Sequence, residues 1–155
     1  MNNIIITGFS GTGKTSAGKA VSRLLGWEFV DTDEEIVREA GKPIERIFQD
    51  DGEAAFRRLE QDAVRRLCSG EPRVVSSGGG AIMDAKNLRA MEDGGFLVCL
   101  DARPETIHQR LLDQQRSSDP EVRPLLEGPE PLERIRNLKA QRQSAYALAH
   151  WTVHT

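Results

Sequence analysis

The chain has 155 residues, 38% hydrophobic and 29% charged, with a formal net charge of −3. This length and balance suit one soluble globular domain over residues 1–155 and argue against a nucleic-acid binder that works by bulk electrostatics. No apolar run approaches the ~18 residues that a membrane span needs, and the N-terminus lacks the basic and long apolar regions of a secretory signal. Cys68 and Cys99 fit neither a disulfide framework nor a zinc site, and both lie in apolar surroundings. Buried reduced thiols and a cytoplasmic setting follow.

In chain order, NIIIT (3–7) is a β-branched run ended by Gly8, as a buried strand would be. Residues 14–25 are compatible with a helix stopped by Gly26, and WEFV (27–30) is a second strand. Short helices are expected over 33–40 and 43–49, parted by Gly41 and with Pro43 in a first-turn position. Over 53–68, Phe56, Leu59, Ala63, Val64 and Leu67 make one apolar helical face. RVVSS (73–77) is a third strand and runs into Gly78-Gly79-Gly80; a helix over 84–92 and the strand FLVCL (96–100) follow. Pro104 starts a helix to about Asp113. Residues 114–128 show neither period, and a loop of that length in a compact domain is often a lid. A helix over about 131–149 and a last strand, WTVH (151–154), complete the series. Strands alternating with helices predict an α/β fold: a parallel sheet of five strands in a three-layer sandwich, helices on both faces. Ligands in such folds bind outside the carboxyl ends of the strands, where Gly8, Asp31, Gly78 and Asp101 fall.

GFSGTGKT (8–15) matches G-x-x-x-x-G-K-[ST] between a strand and a helix, the context this phosphate-binding loop requires. Glycines let backbone N–H groups converge on phosphate, and the helix N-terminus adds partial positive charge. Gly11, Thr12, Gly13, Lys14, Thr15 and Ser16 are therefore expected around the phosphates of ATP, with Lys14 reaching the β- and γ-phosphates and the Thr15 hydroxyl on Mg²⁺. Such proteins also supply a carboxylate near the metal from a strand end. Asp101 precedes Ala-Arg-Pro and reads as a turn or helix-capping residue. VDTDEEI (30–36) offers Asp31 and Asp33 instead. On a strand, residues i and i+2 would share a face. One carboxylate can then sit near the metal while the other accepts a proton from a substrate hydroxyl, and the cation offsets their repulsion. Taken alone, the pair reads rather as strand-end punctuation and a helix N-cap.

GFSGTGKT, DTDEEI, IFQDDGEAAFRRLE, SSGGGA, VRPLL and R-x-x-x-Y, in this order and over residues 4 to about 152, resemble the shikimate kinase family. The resemblance implies a P-loop kinase fold with a mobile lid (about 114–128) and substrate-binding helices (about 33–62). It implies transfer of the ATP γ-phosphoryl group to the 3-hydroxyl of shikimate with Mg²⁺, in aromatic amino-acid biosynthesis. Asp33 corresponds to the aspartate that holds shikimate hydroxyls and acts as base, and Asp31 to its Mg²⁺-linked partner. Arg57 and Arg142 correspond to the arginines that grip the substrate carboxylate, and Gly78, Gly79 and Gly80 to the substrate-contacting turn. Arg123 corresponds to the lid arginine that closes on the phosphates, and Arg110 to a position near the adenine. A planar guanidinium fork suits a carboxylate.

The family's R-x-P-x-Y has Ser144 in place of proline here, and family members continue past the last strand where this chain stops at Thr155. Weaker adenine contact and lower stability than a longer relative are the expectation. Phe48 and Phe56 either line the substrate pocket or pack in the core; Arg58, Arg65, Arg66 and Arg134 read as solvated charges, and His108, His150 and His154 as surface or packing residues. Other readings are a small-molecule kinase acting on gluconate or a nucleoside, and a catalytically silent nucleotide-binding module. A monomer is expected.

Overall fold

The computed structural model describes residues 2–115 and 125–155. In them the chain forms strand β1 (Asn3–Gly8), helix α1 (Lys14–Leu25), β2 (Glu28–Asp31), α2 (Thr32–Ala40), α3 (Ile44–Asp51), α4 (Glu53–Leu67) and β3 (Arg73–Ser76). A 3-10 turn (Ala81–Met83), α5 (Ala85–Gly94), β4 (Gly95–Asp101), α6 (Pro104–Asp113), α7 (Pro131–Tyr146) and β5 (Trp151–His154) follow. The five strands make one parallel sheet in the order β2-β3-β1-β4-β5. From β1 the chain leaves toward one edge, and from β3 it crosses to the other, so a crevice opens at the carboxyl ends of the central strands.

Alternation along the strands sorts the apolar side chains into two layers. Ile5, Val75, Leu97 and Cys99 pack on one face with Val64 and Leu67 of α4, Met91 of α5, and Ile107 and Leu111 of α6. Ile6, Val74 and Leu100 face the other side, under Ala17 and Val21 of α1. Ile5 pairs with Val75 on one side and Leu97 on the other. It is fully buried, so a change to alanine there costs about 2–5 kcal/mol. Gly18 brings α1 close to the sheet: a Cβ there would stand 2.4 Å from the Phe29 ring. A third, smaller core of Ile36, Ile44, Ile47, Phe56 and Ala63 knits α2, α3 and α4 into a unit beside the crevice.

The expected elements are present, and the differences have local causes. The final helix stops at Tyr146 rather than about 149, where Ala147 N still donates to Gln143 O but the next two amides make shorter-range turns to Ala145 O and Tyr146 O. Asp101 does not cap α6, whose N-cap is Arg103; its carboxylate pairs with Lys139 (3.0 Å) and His154 (3.3 Å) and so ties α7 to the end of β4. Arg134 is more than a solvated charge, donating to Leu125 O at 2.9 Å and Pro129 O at 3.1 Å. Most of the expected lid, residues 116–124, lies outside the described residues. Both cysteines are buried thiols, and burial pushes them up to about 12 (Cys68) and about 11 (Cys99). Among the described residues no helix is long and apolar enough to cross a membrane.

Candidate active site

The loop between β1 and α1 is built from backbone that only glycine adopts easily. Gly8, Gly11 and Gly13 have φ of 139°, 80° and 98°, and a Cβ on Gly8 would lie 2.3 Å from Leu100 O. Thr12 turns inward, its Oγ1 donating to Phe9 O at 2.8 Å. Its hydroxyl therefore braces the loop, while the cleft beside it is lined by Gly11, Gly13, Lys14, Thr15 and Ser16. Lys14 Nζ donates to Gly8 O (2.7 Å) and Phe9 O (3.1 Å), which fixes the ammonium over the loop.

The same cleft, about 130 Å³, is closed on its other side by Asp31, Asp33, Ser77 and Gly78. The strand argument for the two aspartates is corrected by the backbone. β2 ends at Asp31, and Asp33 already belongs to the first turn of α2. They still line one cleft because the helix starts immediately. Asp31 is the N-cap of α2, its Oδ1 accepting from Asp33 N at 2.9 Å and Glu34 N at 3.3 Å. Capping and a place facing Thr15 therefore coexist in one carboxylate. Burial raises the Asp31 carboxyl above its ordinary value, against the pull of the two backbone N–H donors. Gly78 N donates to Thr32 Oγ1 at 3.1 Å, and a Cβ on Gly78 would stand 2.9 Å from Asp33 Oδ1. Glycine is what lets the turn approach this carboxylate.

Next to it lies a second cleft of about 370 Å³, lined by Arg57, Glu60, Gly80, Asp84 and Arg142. α4 and α7 each contribute one arginine. A Cβ on Gly80 would be 3.3 Å from Arg142 Nη2 and 3.6 Å from Arg57 Nη1, so both guanidiniums close on this glycine. Arg57 Nη1 donates to Glu60 Oε1 at 2.8 Å. Arg57 also lies over the Phe56 ring (5.2 Å), and Arg142 over the Phe9 ring (5.4 Å). Phe56 is thus a core residue that also supports an arginine; Phe48, more exposed, packs against it in a tilted contact with ring centroids 4.8 Å apart. Tyr146 Oη donates to Gly79 O at 2.7 Å and holds the glycine turn from α7.

Of the residues expected from sequence, Lys14, Thr15, Ser16, Asp31, Asp33 and Gly78 come together in the first cleft, and Arg57, Gly80 and Arg142 in the second. Gly79 is held by Tyr146 between them. Arg110 donates to Gly11 O (3.2 Å), to Thr155 Oγ1 (2.9 Å) and to Thr155 O (2.8 Å), beside the loop rather than in either cleft. Arg123 lies outside the described residues. Sequence reading assigned no role to Glu60, Tyr146 or Gln114. Glu60 is a carboxylate only 2% exposed on an otherwise apolar helical face. Its place three residues after Arg57 was the available signal. Gln114, at the end of α6, lines the first cleft. Among the described residues no group of three or more His, Cys, Asp or Glu could hold a metal by itself.

Comparison with known proteins agrees in one direction. The family described as shikimate kinase matches residues 10–155. The shikimate kinase of Symbiobacterium thermophilum is 42% identical over 147 residues, covering 95% of this chain and 82% of the relative. That of Desulforudis audaxviator is 43% identical over 155 residues, covering 100% and 78%. Among solved structures, shikimate kinase from Acinetobacter baumannii in complex with shikimate superposes with a TM-score of 0.87 at 36% identity, covering 100% of this chain and 84% of that one. A gluconokinase from Sinorhizobium meliloti, at 17% identity and a TM-score of 0.56, shares the fold alone.

Proposed function

Because the chain belongs to the shikimate kinase family, we propose that it transfers the γ-phosphoryl group of ATP to the 3-hydroxyl of shikimate, giving shikimate 3-phosphate and ADP. One observation carries the assignment of residues. The cleft holding Lys14, Thr15, Asp31 and Asp33 adjoins the cleft where Arg57 and Arg142 converge on Gly80. A phosphate donor and a planar carboxylate thus have neighbouring, chemically suited seats.

The roles follow the family resemblance, and chemistry supports them. Arg57 and Arg142 hold the shikimate carboxylate through charge-assisted hydrogen bonds. Glu60 aims Arg57, and Tyr146 sets the turn of Gly78, Gly79 and Gly80 against the substrate. Asp33 holds a substrate hydroxyl and accepts its proton as the oxygen attacks phosphorus. Lys14 and the loop amides of Gly11, Gly13, Thr15 and Ser16 bind the ATP phosphates, with Thr12 bracing the loop. The Thr15 hydroxyl and Asp31 carboxylate are oxygen donors on one cleft, which suits a hard cation with few protein ligands. Mg²⁺ held there with ATP would neutralise charge developing on the phosphates. Arg123 supplies a further cation to the transferred group, and Arg110 borders the nucleotide. A monomeric active unit is part of the same proposal.

The test is ADP release from Mg-ATP in a coupled assay, with and without shikimate. Strict dependence on shikimate, with gluconate and nucleosides inert, is the expected result. Turnover on gluconate or a nucleoside but not shikimate refutes the substrate. ATP binding without turnover on any of them refutes the kinase assignment.

A further inference from the structure

On the far side of α4 from the substrate cleft lies a larger cavity of about 820 Å³, between α4, α5 and the start of β1. That volume is within the range of small-molecule sites, roughly 300–1,000 Å³. It is remote from the phosphate loop: β1 contributes Asn2 and Asn3 here and Gly8 to the loop at the opposite end of the strand.

Helical positions advance by about 100° each. Glu53, Arg57 and Glu60 therefore form one stripe of α4, which lines the substrate cleft. Arg58, Asp62 and Arg65 form another, about a third of a turn away, which lines the large cavity. Gln61 sits between the stripes and donates to Asp84 Oδ2 at 2.7 Å. Asp84 lines the substrate cleft and Gln61 the large cavity, so this hydrogen bond is a shared wall.

The lining is cationic although the chain is acidic. Arg58, Arg65, Lys86 and Arg89 face two carboxylates, Asp62 and Asp93. Asp62 is engaged by Arg65 at 2.5 Å and by Arg66 at 3.3 Å. Arg58, Lys86 and Arg89 have no ion-pair partner among the described residues. Ion pairs occur elsewhere on the surface, where Lys42 meets Asp50 and Asp51, Arg66 meets Glu35, Glu39 and Asp62, and Arg136 meets Glu105 and Glu133. What sets this site apart is that three cations without an ion pair, Lys86 among them in the field of Asp84, line one concavity. We propose that this cavity is a second ligand site, for a small organic anion carrying at least two negative charges. The proposal does not depend on the phosphoryl-transfer reading; only the active-site block and the turnover control in its test do.

The test titrates glutarate and glycerol 2-phosphate separately into the protein while a non-hydrolysable ATP analogue, Mg²⁺ and shikimate saturate the active site. Backbone amide resonances report the location. The expected result is saturable shifts at Gln61, Ser69, Asn87 and Ala90 at millimolar concentration or below. Charge reversal in Arg58→Glu/Lys86→Glu weakens binding at least ~tenfold and leaves shikimate-dependent turnover unchanged. Saturation by glutarate alone assigns a dicarboxylate, by glycerol 2-phosphate alone a phosphomonoester, and by both the shared dianion. Absence of saturable shifts at those amides with either probe overturns the proposal, as do shifts that survive charge reversal.

Discussion

Asp31 combines two roles that a pair of substitutions can separate. Asp31→Asn keeps an oxygen able to accept from Asp33 N (2.9 Å) and Glu34 N (3.3 Å) but removes the charge. Asp31→Ala removes both. Asn caps a helix about as well as Asp, whereas Ala at an N-cap costs about 1–2 kcal/mol. For a domain of this size that is roughly 2–8 °C in Tm, and Asn should stay within about 2 °C of the parent. The loss of a carboxylate facing the phosphates and Mg²⁺ is common to both, and a charged-group interaction is worth about 1.5–3 kcal/mol. Both variants should therefore lose roughly 10–100-fold in kcat/KM, most at limiting Mg²⁺. Differential scanning fluorimetry and the coupled assay at graded Mg²⁺ read the two effects. Equal destabilisation by Asn and Ala would refute the capping argument. Full activity of Asp31→Asn at limiting Mg²⁺ would refute the metal-linked role.

Asp33→Asn should bind ATP nearly as tightly as the parent by calorimetry yet lose turnover, and retained turnover would remove Asp33 as the base. Arg57→Ala should mainly raise the KM for shikimate and also lower Tm, because it removes a cation from buried Glu60; Arg57→Ala/Glu60→Gln should recover part of the Tm but not KM. An unchanged KM would make Arg57 a structural residue only. Tyr146→Phe deletes the hydrogen bond to Gly79 O while keeping the ring, so a KM increase with little change in Tm is expected; a fall in Tm alone would leave the tyrosine a packing role. Burial raises Asp31 above 3.8, so the folded chain keeps that proton to higher pH than the unfolded chain. The associated stability is complete below 3.8 and is lost as pH rises through the raised value. In Mg²⁺-free buffer, the Tm of the parent should fall relative to Asp31→Asn across that window, and a flat difference would show that burial does not dominate.

The strands were legible because each is a short β-branched or apolar run bounded by a turn signal, as NIIITG and FLVCLD are. The phosphate loop was legible because its residues are contiguous. Asp31 and Asp33 were legible as a pair, but not the geometry that joins them, since nothing in D-T-D tells whether the helix begins at the first or the third residue. Thr12 was grouped with the phosphate-binding residues by position, yet packing turns its side chain to Phe9 O. Asp101 looked like a cap because Pro104 follows, but its partners Lys139 and His154 are distant in sequence and meet it only through the sheet and α7. Glu60 and Tyr146 stand in the quoted motifs, but their roles were not legible for the same reason. Their importance comes from a buried contact with a functional group, which composition and spacing alone do not rank.

The two buried thiols give the protein an internal clock for its own opening. Their ionised forms are suppressed in the folded state, with Cys68 held up to about 12 and Cys99 to about 11. Alkylation at neutral pH therefore proceeds through conformations in which the sulfur meets water. Cys99 sits in β4, hydrogen-bonded on both sides between β1 and β5, so its modification counts near-global unfolding. Cys68 caps the end of α4 and reports partial release of that helix from the sheet. The ratio of the two labelling rates, taken with and without shikimate, would measure how firmly the substrate staples α4 to the rest of the fold.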